Sequence, residues 1–354
     1  MANVSGEKRY EQVFGDTFAL YSRKEMVEFI EPFRVRFARN GLESKDIFSG
    51  KNCFDGGCGN GRGSLFMLMN GAAKVTAFDY SEKNVESTLK FADQFGFTNI
   101  DVHQGSLASI PFTDQSFDVV WCNGVVMHTE KPNECLAELA RILKLGGKMW
   151  LYVYGSGGVY WRIIYHLREM VKHIDINTCM SVLKLFRYET RYIAEFIDDW
   201  YATWLRTYTH EDMSLRLQDL GFRGERPLPL GMDYDTSHRL NSVTSIEERV
   251  LMGEGDLRYL LTKDKHVCQQ RHLLEEGEYG SQYHYPDIIR DRIDPLMESV
   301  RVVAKDRDWM KIALAAHIQR ELRILLYETG PFPFVALQSM IKCLAEQAAM
   351  VPIR

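Results

Sequence analysis

From residue 50 to residue 155 short apolar runs alternate with amphipathic ones, and this alternation constrains the fold more than any other feature of the chain. "NCF" leads into a glycine-rich loop, and residues 62–69 read as a helix. "KVTAFDY" (74–80) reads as a strand, and Ser81 as the cap of a helix over "EKNVESTLKFADQF" that stops at Gly96. "NIDVHQG" (99–105) and "SFDVVWCNG" (116–124) are further strands. The second is apolar through its centre, as a strand covered on both faces should be. Pro132 suits the first turn of the helix "PNECLAELARILKL", expected to end at Gly146-Gly147, and "KMWLYVYG" (148–155) is another strand. Repeated strand–helix–strand units predict a parallel sheet with right-handed crossovers and helices on both faces.

The flanks are different. Residues 1–48 read as helical, with Met26, Phe29, Ile30 and Phe33 at helical spacing, Pro32 as a point of division and Gly41 as a terminator. After Gly155 the alternation stops, and 156–208 reads as helices crowded with aromatic residues. Thr209 suits the cap of a helix over "HEDMSLRLQDLGF", with Gly221 as its stop. "ERPLPLG" and "DLRYLLTKD" (256–264) read as the last two strands, and beyond about 265 the pattern is helical again. The expected organisation is an N-terminal helical cap (1–48), a core (49–155), a helical lid insertion (156–208), completion of the core sheet (209–264) and a helical extension (265–354).

Of the 354 residues, 45% are apolar and 26% charged, the balance of a soluble globular protein. A net charge of −5 disfavours a dedicated nucleic-acid binder. The opening "MANVSGEKRYEQ" has no apolar stretch of the secretory type, and no apolar run approaches the roughly 20 residues that span a bilayer. A cytoplasmic protein without a membrane partner is expected. The seven cysteines (Cys53, Cys58, Cys122, Cys135, Cys179, Cys268 and Cys343) are scattered, odd in number and free of CxxC pairs. They read as reduced thiols, with Cys53, Cys58 and Cys122 packing as small hydrophobes and no zinc-like spacing among them. No metal is expected.

The glycine loop narrows the ligand. "NCFDGGCGNGRGS" (52–64) lacks the Lys-Ser/Thr that a triphosphate loop needs. The dinucleotide pattern G-x-G-x-x-G also fails, because its last position falls on Arg62, Ser64 or Phe66. What fits is D-x-G-x-G-x-G over Asp55, Gly57, Gly59 and Gly61. This resembles motif I of the class I S-adenosylmethionine-dependent methyltransferases. In order along the chain, Asp79 ends the second strand, "SIPFTDQSFDVVWCNGVVMH" (109–128) resembles the family's fourth-strand signature, and "ARILKLGGKMWLYV" (140–153) its helix, glycine turn and fifth strand. The resemblance is strong over about 50–155 and weak over about 209–264. It implies a Rossmann-like seven-stranded sheet whose final strand runs antiparallel.

The resemblance also implies roles. Asp79 would bind both ribose hydroxyls of S-adenosylmethionine, since one carboxylate accepts two hydrogen bonds from a diol. Asp55 would organise the loop or touch the cofactor. Gly57, Cys58 and Gly59 would let the backbone approach the amino-acid portion. Tyr80 would lie beside the adenine, and Asn123 would contact the cofactor from the end of the fourth strand. Family members often place an acid after the third strand to hold the adenine amine. Here the residues are Gly105-Ser106 and Leu107, so Ser106 or the Leu107 backbone would take that place.

At the acceptor end, His128 follows the fourth strand, where the family carries groups near the methyl acceptor. Tyr154, near the carboxyl end of the fifth strand, and Tyr160 and Trp161 just after it would form an aromatic wall, with His166 a weaker candidate. Tyr10, Phe14 and Tyr21 would cap the cofactor, and "GMDYDTSHR" (231–239) is a candidate acceptor loop. The expected activity is methyl transfer to a small-molecule oxygen, nitrogen, sulfur or carbon nucleophile, with a homodimer formed through the helical extension. The alternatives are an RNA or protein methyltransferase, a non-catalytic cofactor-binding protein, and a non-methylating S-adenosylmethionine enzyme. Against the RNA reading, Asn123-Gly124-Val125-Val126 stands where amine-methylating relatives carry [DN]-P-P-[FYW].

Overall fold

Seven strands form one sheet: β1 (Asn52–Gly56), β2 (Lys74–Asp79), β3 (Ile100–Gln104), β4 (Phe117–Asn123), β5 (Leu143–Tyr154), β6 (Phe222–Arg223) and β7 (Asp256–Lys263). They lie in the order β3-β2-β1-β4-β5-β7-β6. The pairs among β1 to β5 are parallel, and β7 runs antiparallel to β5 and β6. The strand order reverses between β1 and β4, and ligands of open α/β sheets bind at the carboxyl ends beside such a reversal. The computed structural model describes residues 9–241, 243, 245–265, 286–327 and 333–351. Cys268 lies outside them, and the other six cysteines are free thiols, buried except for Cys343.

The described residues fall into two compact units. One lies within Met1–Gly155, Thr203–Met232 and Asp256–Gln282, the other within Ser156–Ala202, Asp233–Gly255 and Tyr283–Arg354. The first unit holds the sheet. On one face Phe54, Phe78, Val120, Cys122, Leu151 and Val153 are buried with Leu136 and Leu139 of the helix Pro132–Ile142 and Met213 and Leu217 of the helix His210–Asp219. On the other face Trp121 and Trp150 stack with centroids 4.9 Å apart and planes 8° from parallel. Phe33 and Phe37 of the helix Arg23–Arg39 cover that pair.

Three local expectations need correction. Pro32 does not divide its helix, which runs unbroken over Arg23–Arg39. Phe33 and Phe37 anchor the turns beyond the proline, and Glu28, whose carbonyl loses a partner to it, is exposed to water. The helix after Pro132 ends at Ile142, before the glycines, and β5 begins at the next residue with a register shift against β4 between Phe117 and Val119. "ERPLPLG" is not a strand. β6 is the short Phe222–Arg223, because Pro227 and Pro229 remove ladder donors. The segment is held instead by Leu228 N–H donating to the Arg258 carbonyl at 2.6 Å and by the Asn40 amide bonding to Leu230.

The second unit is helical. The insertion helices Gly158–Val171, Ile176–Leu185 and Thr190–Tyr201 share one core with the tail helices Asp287–Ala304, Asp308–Tyr327 and Phe334–Ala349. Its interior holds a polar network. The Tyr160 hydroxyl donates to Asp199 at 2.6 Å and accepts from Arg323 at 2.8 Å. Gln319 donates to Asp199 at 2.7 Å and to Glu195 at 3.2 Å, and accepts from the Trp200 indole at 2.6 Å. Burial pushes the Glu195 carboxyl upward against the pull of Arg323. Residues 233–239 belong to this unit, where Arg239 is buried and donates to the Leu325 and Leu326 carbonyls at 3.1 and 2.7 Å. Among the described residues no helix is long and apolar enough to cross a membrane.

Candidate active site

The glycine loop leaves β1 with three left-handed residues, Gly57, Gly59 and Gly61, at φ of 76°, 56° and 87°. A Cβ at Gly57 would lie 2.4 Å from the methyls of Val125, and one at Gly59 would lie 2.8 Å from the ring of Phe18. Side chains are excluded here both by backbone conformation and by space. Asp55 sets the turn. Its carboxylate accepts the Ser64 hydroxyl at 2.6 Å and the Ser64 backbone N–H, in the first turn of the helix Arg62–Met69. It thereby serves as a cap delivered from the preceding strand. Its burial pushes the carboxyl up to about 7.

Asp79 is the hub of the loop. One oxygen accepts the Gly59 N–H at 2.8 Å, and the other accepts the Ser81 N–H at 2.9 Å and the Asn84 amide at 3.1 Å. Burial raises its carboxyl, and the Ser81 and Gly59 donors oppose the rise. A carboxylate offers about four lone-pair positions, so three protein donors leave capacity for a ligand hydroxyl. The Asn60 side-chain nitrogen, within the loop, is buried with no hydrogen-bond partner among the described residues. A buried donor without an acceptor calls for one. The donor set of the loop and the acceptor capacity of Asp79 fit a polar nucleoside ligand such as S-adenosylmethionine.

The other cofactor candidates are placed as follows. The Cys58 thiol packs 3.4 Å from the Thr88 hydroxyl and is held protonated by burial. Tyr80 is 38% exposed, with its ring 5.4 Å from that of Tyr10. Ser106 is exposed, and its hydroxyl accepts from Ala108 N–H at 3.3 Å. The Leu107 side chain belongs to the core, leaving its backbone as the polar part. The Asn123 side-chain oxygen accepts from the Trp150 indole at 3.0 Å.

His128 is buried at the end of a short 3-10 turn, Val126–His128. Its Nδ1 lies 2.9 Å from the Trp204 carbonyl oxygen. A carbonyl only accepts, so Nδ1 carries the proton and Nε2 is the basic nitrogen of the neutral ring. The rings of Phe14 and Tyr154 stand 5.3 and 5.4 Å from the imidazole. Of the three aromatic residues expected to face His128, Tyr154 stands beside it in the same unit. Trp161 and Tyr160 belong to the second unit, where the Tyr160 hydroxyl is taken up by the Asp199 network and the Trp161 ring meets its edge at 5.1 Å. His166 bonds Asp294 at 2.9 Å in the same unit.

Sequence reasoning did not identify the N-terminal strap of residues 9–21 as a latch. Glu11 accepts the Glu82 N–H at 2.9 Å and the Ser81 hydroxyl at 2.7 Å, at the start of the helix Glu82–Gln94. Asp16 pairs with Lys83. Phe18 lies over Gly59 and Phe14 over His128, while Tyr21 stacks on Phe29 at 4.7 Å. The spacing of Glu11, Phe14 and Phe18 along one helical face was the available signal. Among the described residues no group of three or more His, Cys, Asp or Glu is placed to hold a metal ion.

The sheet order, the glycine loop and the acid ending β2 together define a Rossmann-like nucleoside-binding domain. Residues 54–151 match the methyltransferase domain family, and this segment is a class I S-adenosylmethionine-dependent methyltransferase domain. The chain is similar to the tRNA U34 carboxymethyltransferase of Campylobacter curvus, 35% identical over 102 residues, which is 29% of this chain and 34% of that protein. It is also similar to the ubiquinone biosynthesis O-methyltransferase of Coxiella burnetii, 27% identical over 124 residues, 35% of this chain and 50% of that one. The solved structure of YcgJ from Bacillus subtilis aligns over 64% of this chain and 95% of its own at 17% identity, with a TM-score of 0.41. The matched stretch spans about a third to a half of the length of these two curated relatives.

Proposed function

We propose that the chain transfers the methyl group of S-adenosylmethionine to a small-molecule acceptor. The observation that carries this reading is His128, a buried imidazole whose protonated Nδ1 is set by the Trp204 carbonyl and whose flanks are the rings of Phe14 and Tyr154. A base enclosed by aromatic rings suits a compact acceptor with a hydroxyl or amine proton to lose. The cofactor supplies an electrophilic methyl on a sulfonium, so alignment and exclusion of water provide much of the rate.

In this reading Asp79 holds the ribose hydroxyls, and Gly57 and Gly59 admit the amino-acid portion. Asp55 fixes the turn between β1 and the next helix. Tyr80 borders the adenine, with the Ser106 hydroxyl or Leu107 backbone as its polar contact, and Asn123 and the Cys58 backbone complete the cofactor's surroundings. His128 takes the acceptor's proton at Nε2, and Phe14 and Tyr154 keep water out.

A second reading is an RNA acceptor, favoured by the stretch 35% identical to a tRNA U34 carboxymethyltransferase. One experiment separates the two. The protein is incubated with methyl-labelled S-adenosylmethionine and, in parallel, with the small-molecule fraction of a cell extract and with total tRNA. Label in a small molecule is expected. Label in tRNA alone would replace the first reading with the second, and label in neither would remove both.

A further inference from the structure

The helical unit carries a cleft of about 520 Å³ between the segment that follows the helix Ile176–Leu185, the helix Asp308–Tyr327 and the end of the helix Phe334–Ala349. Its lining includes Phe186, Tyr188, Tyr192 and Trp309, together with Arg187 and Arg320. The size is that of a small-molecule site, as is the mixture of aromatic walls with a few polar groups. Phe186 and Trp309 remain 48% and 49% exposed, so two large rings stand open at the cleft.

The charges are uneven. Glu189, the acid of the cleft, is paired with Arg191 at 3.1 Å. The side chains of Arg187 and Arg320 make no ion pair or hydrogen bond among the described residues. Two guanidinium groups therefore stand beside aromatic walls with no anion of the protein to meet them.

Arg187 also occupies a position that a structural role would give to another residue. The helix ends in a Schellman turn, with Tyr188 N–H donating to the Leu183 carbonyl at 3.2 Å and Arg187 N–H to the Lys184 carbonyl at 2.9 Å. The residue at that place is left-handed and is usually glycine. Here it is arginine at a φ of 60°. A side chain in that backbone region is a cost to the fold, and what it gains is a cation on the cleft wall.

We propose that this cleft is a binding site for a flat, aromatic or conjugated molecule carrying a carboxylate or phosphate. The rings offer stacking surface, and Arg187 and Arg320 offer planar donors that match a carboxylate or phosphate. The site is independent of the methyl-transfer reading.

The test uses the full chain and calorimetry with 2-naphthoate, 1-naphthyl phosphate and the neutral 2-naphthylmethanol. At least one anion is expected to bind saturably, and the better of the two names the anionic group. The neutral molecule should bind about 10-fold more weakly, the loss of one charge-assisted hydrogen bond at a partly exposed site. Arg320→Gln should weaken the anion by a similar factor. Arg187→Gly should weaken it too while raising Tm, because glycine relieves the left-handed turn. A merely structural arginine would move Tm alone. Absence of saturable binding by either anion, equal binding of the neutral molecule, or unchanged affinity in both variants would overturn the proposal.

Discussion

The ammonium of Lys263, at the end of β7, donates to the carbonyl oxygens of Ala140 and Leu143 at 2.6 and 2.8 Å. These oxygens belong to the end of the helix Pro132–Ile142 and to the first residue of β5. A helix that passes into a strand without a linker leaves its last carbonyls without helical donors. A buried cation there supplies donors and complements the negative end of the helix dipole. Burial lowers the lysine's pKa, as expected of an ammonium removed from water.

Lys263→Met should keep the packing volume and lose both hydrogen bonds. The expected cost is about 1–3 kcal/mol, the penalty for buried acceptors left without donors. Urea unfolding of variant and parent measures it, and equal midpoints would mean that water or a rearranged turn serves these carbonyls equally well.

Asp79→Ala should weaken S-adenosylmethionine binding by about several-fold to a few hundred-fold, the range set by two charge-assisted hydrogen bonds partly offset by solvation. It should also lower Tm, because the Gly59, Ser81 and Asn84 donors lose their shared acceptor. Calorimetry and a thermal melt separate the two effects. Unchanged affinity with lowered Tm would confine Asp79 to holding the loop.

Gly59→Ala meets two obstacles, a φ of 56° and the Phe18 ring 2.8 Å from the new methyl. Left-handed backbone costs about 1–2 kcal/mol for a residue with a Cβ. Adding Phe18→Ala should recover the part due to crowding and leave the part due to conformation. A double-mutant cycle by denaturant unfolding reads the coupling. Strict additivity would show that Phe18 does not press on the loop.

Burial raises the Asp55 carboxyl from an ordinary value of 3.8 to about 7. Between these values the folded state holds a proton that the unfolded state has released. This contribution to stability is present at low pH and is lost as pH rises through about 7. The slope from one proton is at most about 1.4 kcal/mol per pH unit. Asp55→Asn keeps the shape without the proton, so its stability should decline less than the parent's over that window. Parallel pH profiles would show an ionised Asp55.

His128→Gln should bind S-adenosylmethionine nearly as well as the parent and lose about 10²–10⁴-fold in methyl transfer, the usual reach of a general base. Loss of cofactor affinity with turnover retained at saturation would put His128 at the wrong end of the cofactor.

Much of this could be read in advance because local chemistry dictated it. The helix Arg62–Met69, the Ser81 and Thr209 caps and the strands β1 to β5 follow from periodicity and capping, and the motif order specified the sheet. What escaped depends on contacts between distant residues. Pro32 stays helical because Phe33 and Phe37 pack on tryptophans that the local sequence does not reveal. The helix before β5 stops early because Lys263, 123 positions away from Ala140, serves its end. In the site, Asp79 was legible as an acid at a strand end. The Trp204 carbonyl was not, since every residue has a carbonyl and only the fold selects one for His128.

The strap of residues 9–21 has a consequence for the order of assembly. Its partners Ser81, Glu82 and Lys83 lie 67–71 positions downstream, and His128 lies farther still. During synthesis this segment emerges before the sheet, and it has nothing to close upon until β1, β2 and the helix Glu82–Gln94 exist. Contacts of such separation carry a large loop-closure entropy and form after the local ones. The strap therefore docks after the sheet that it covers, and the rings of Phe14 and Phe18 stay exposed to water and to other chains until then.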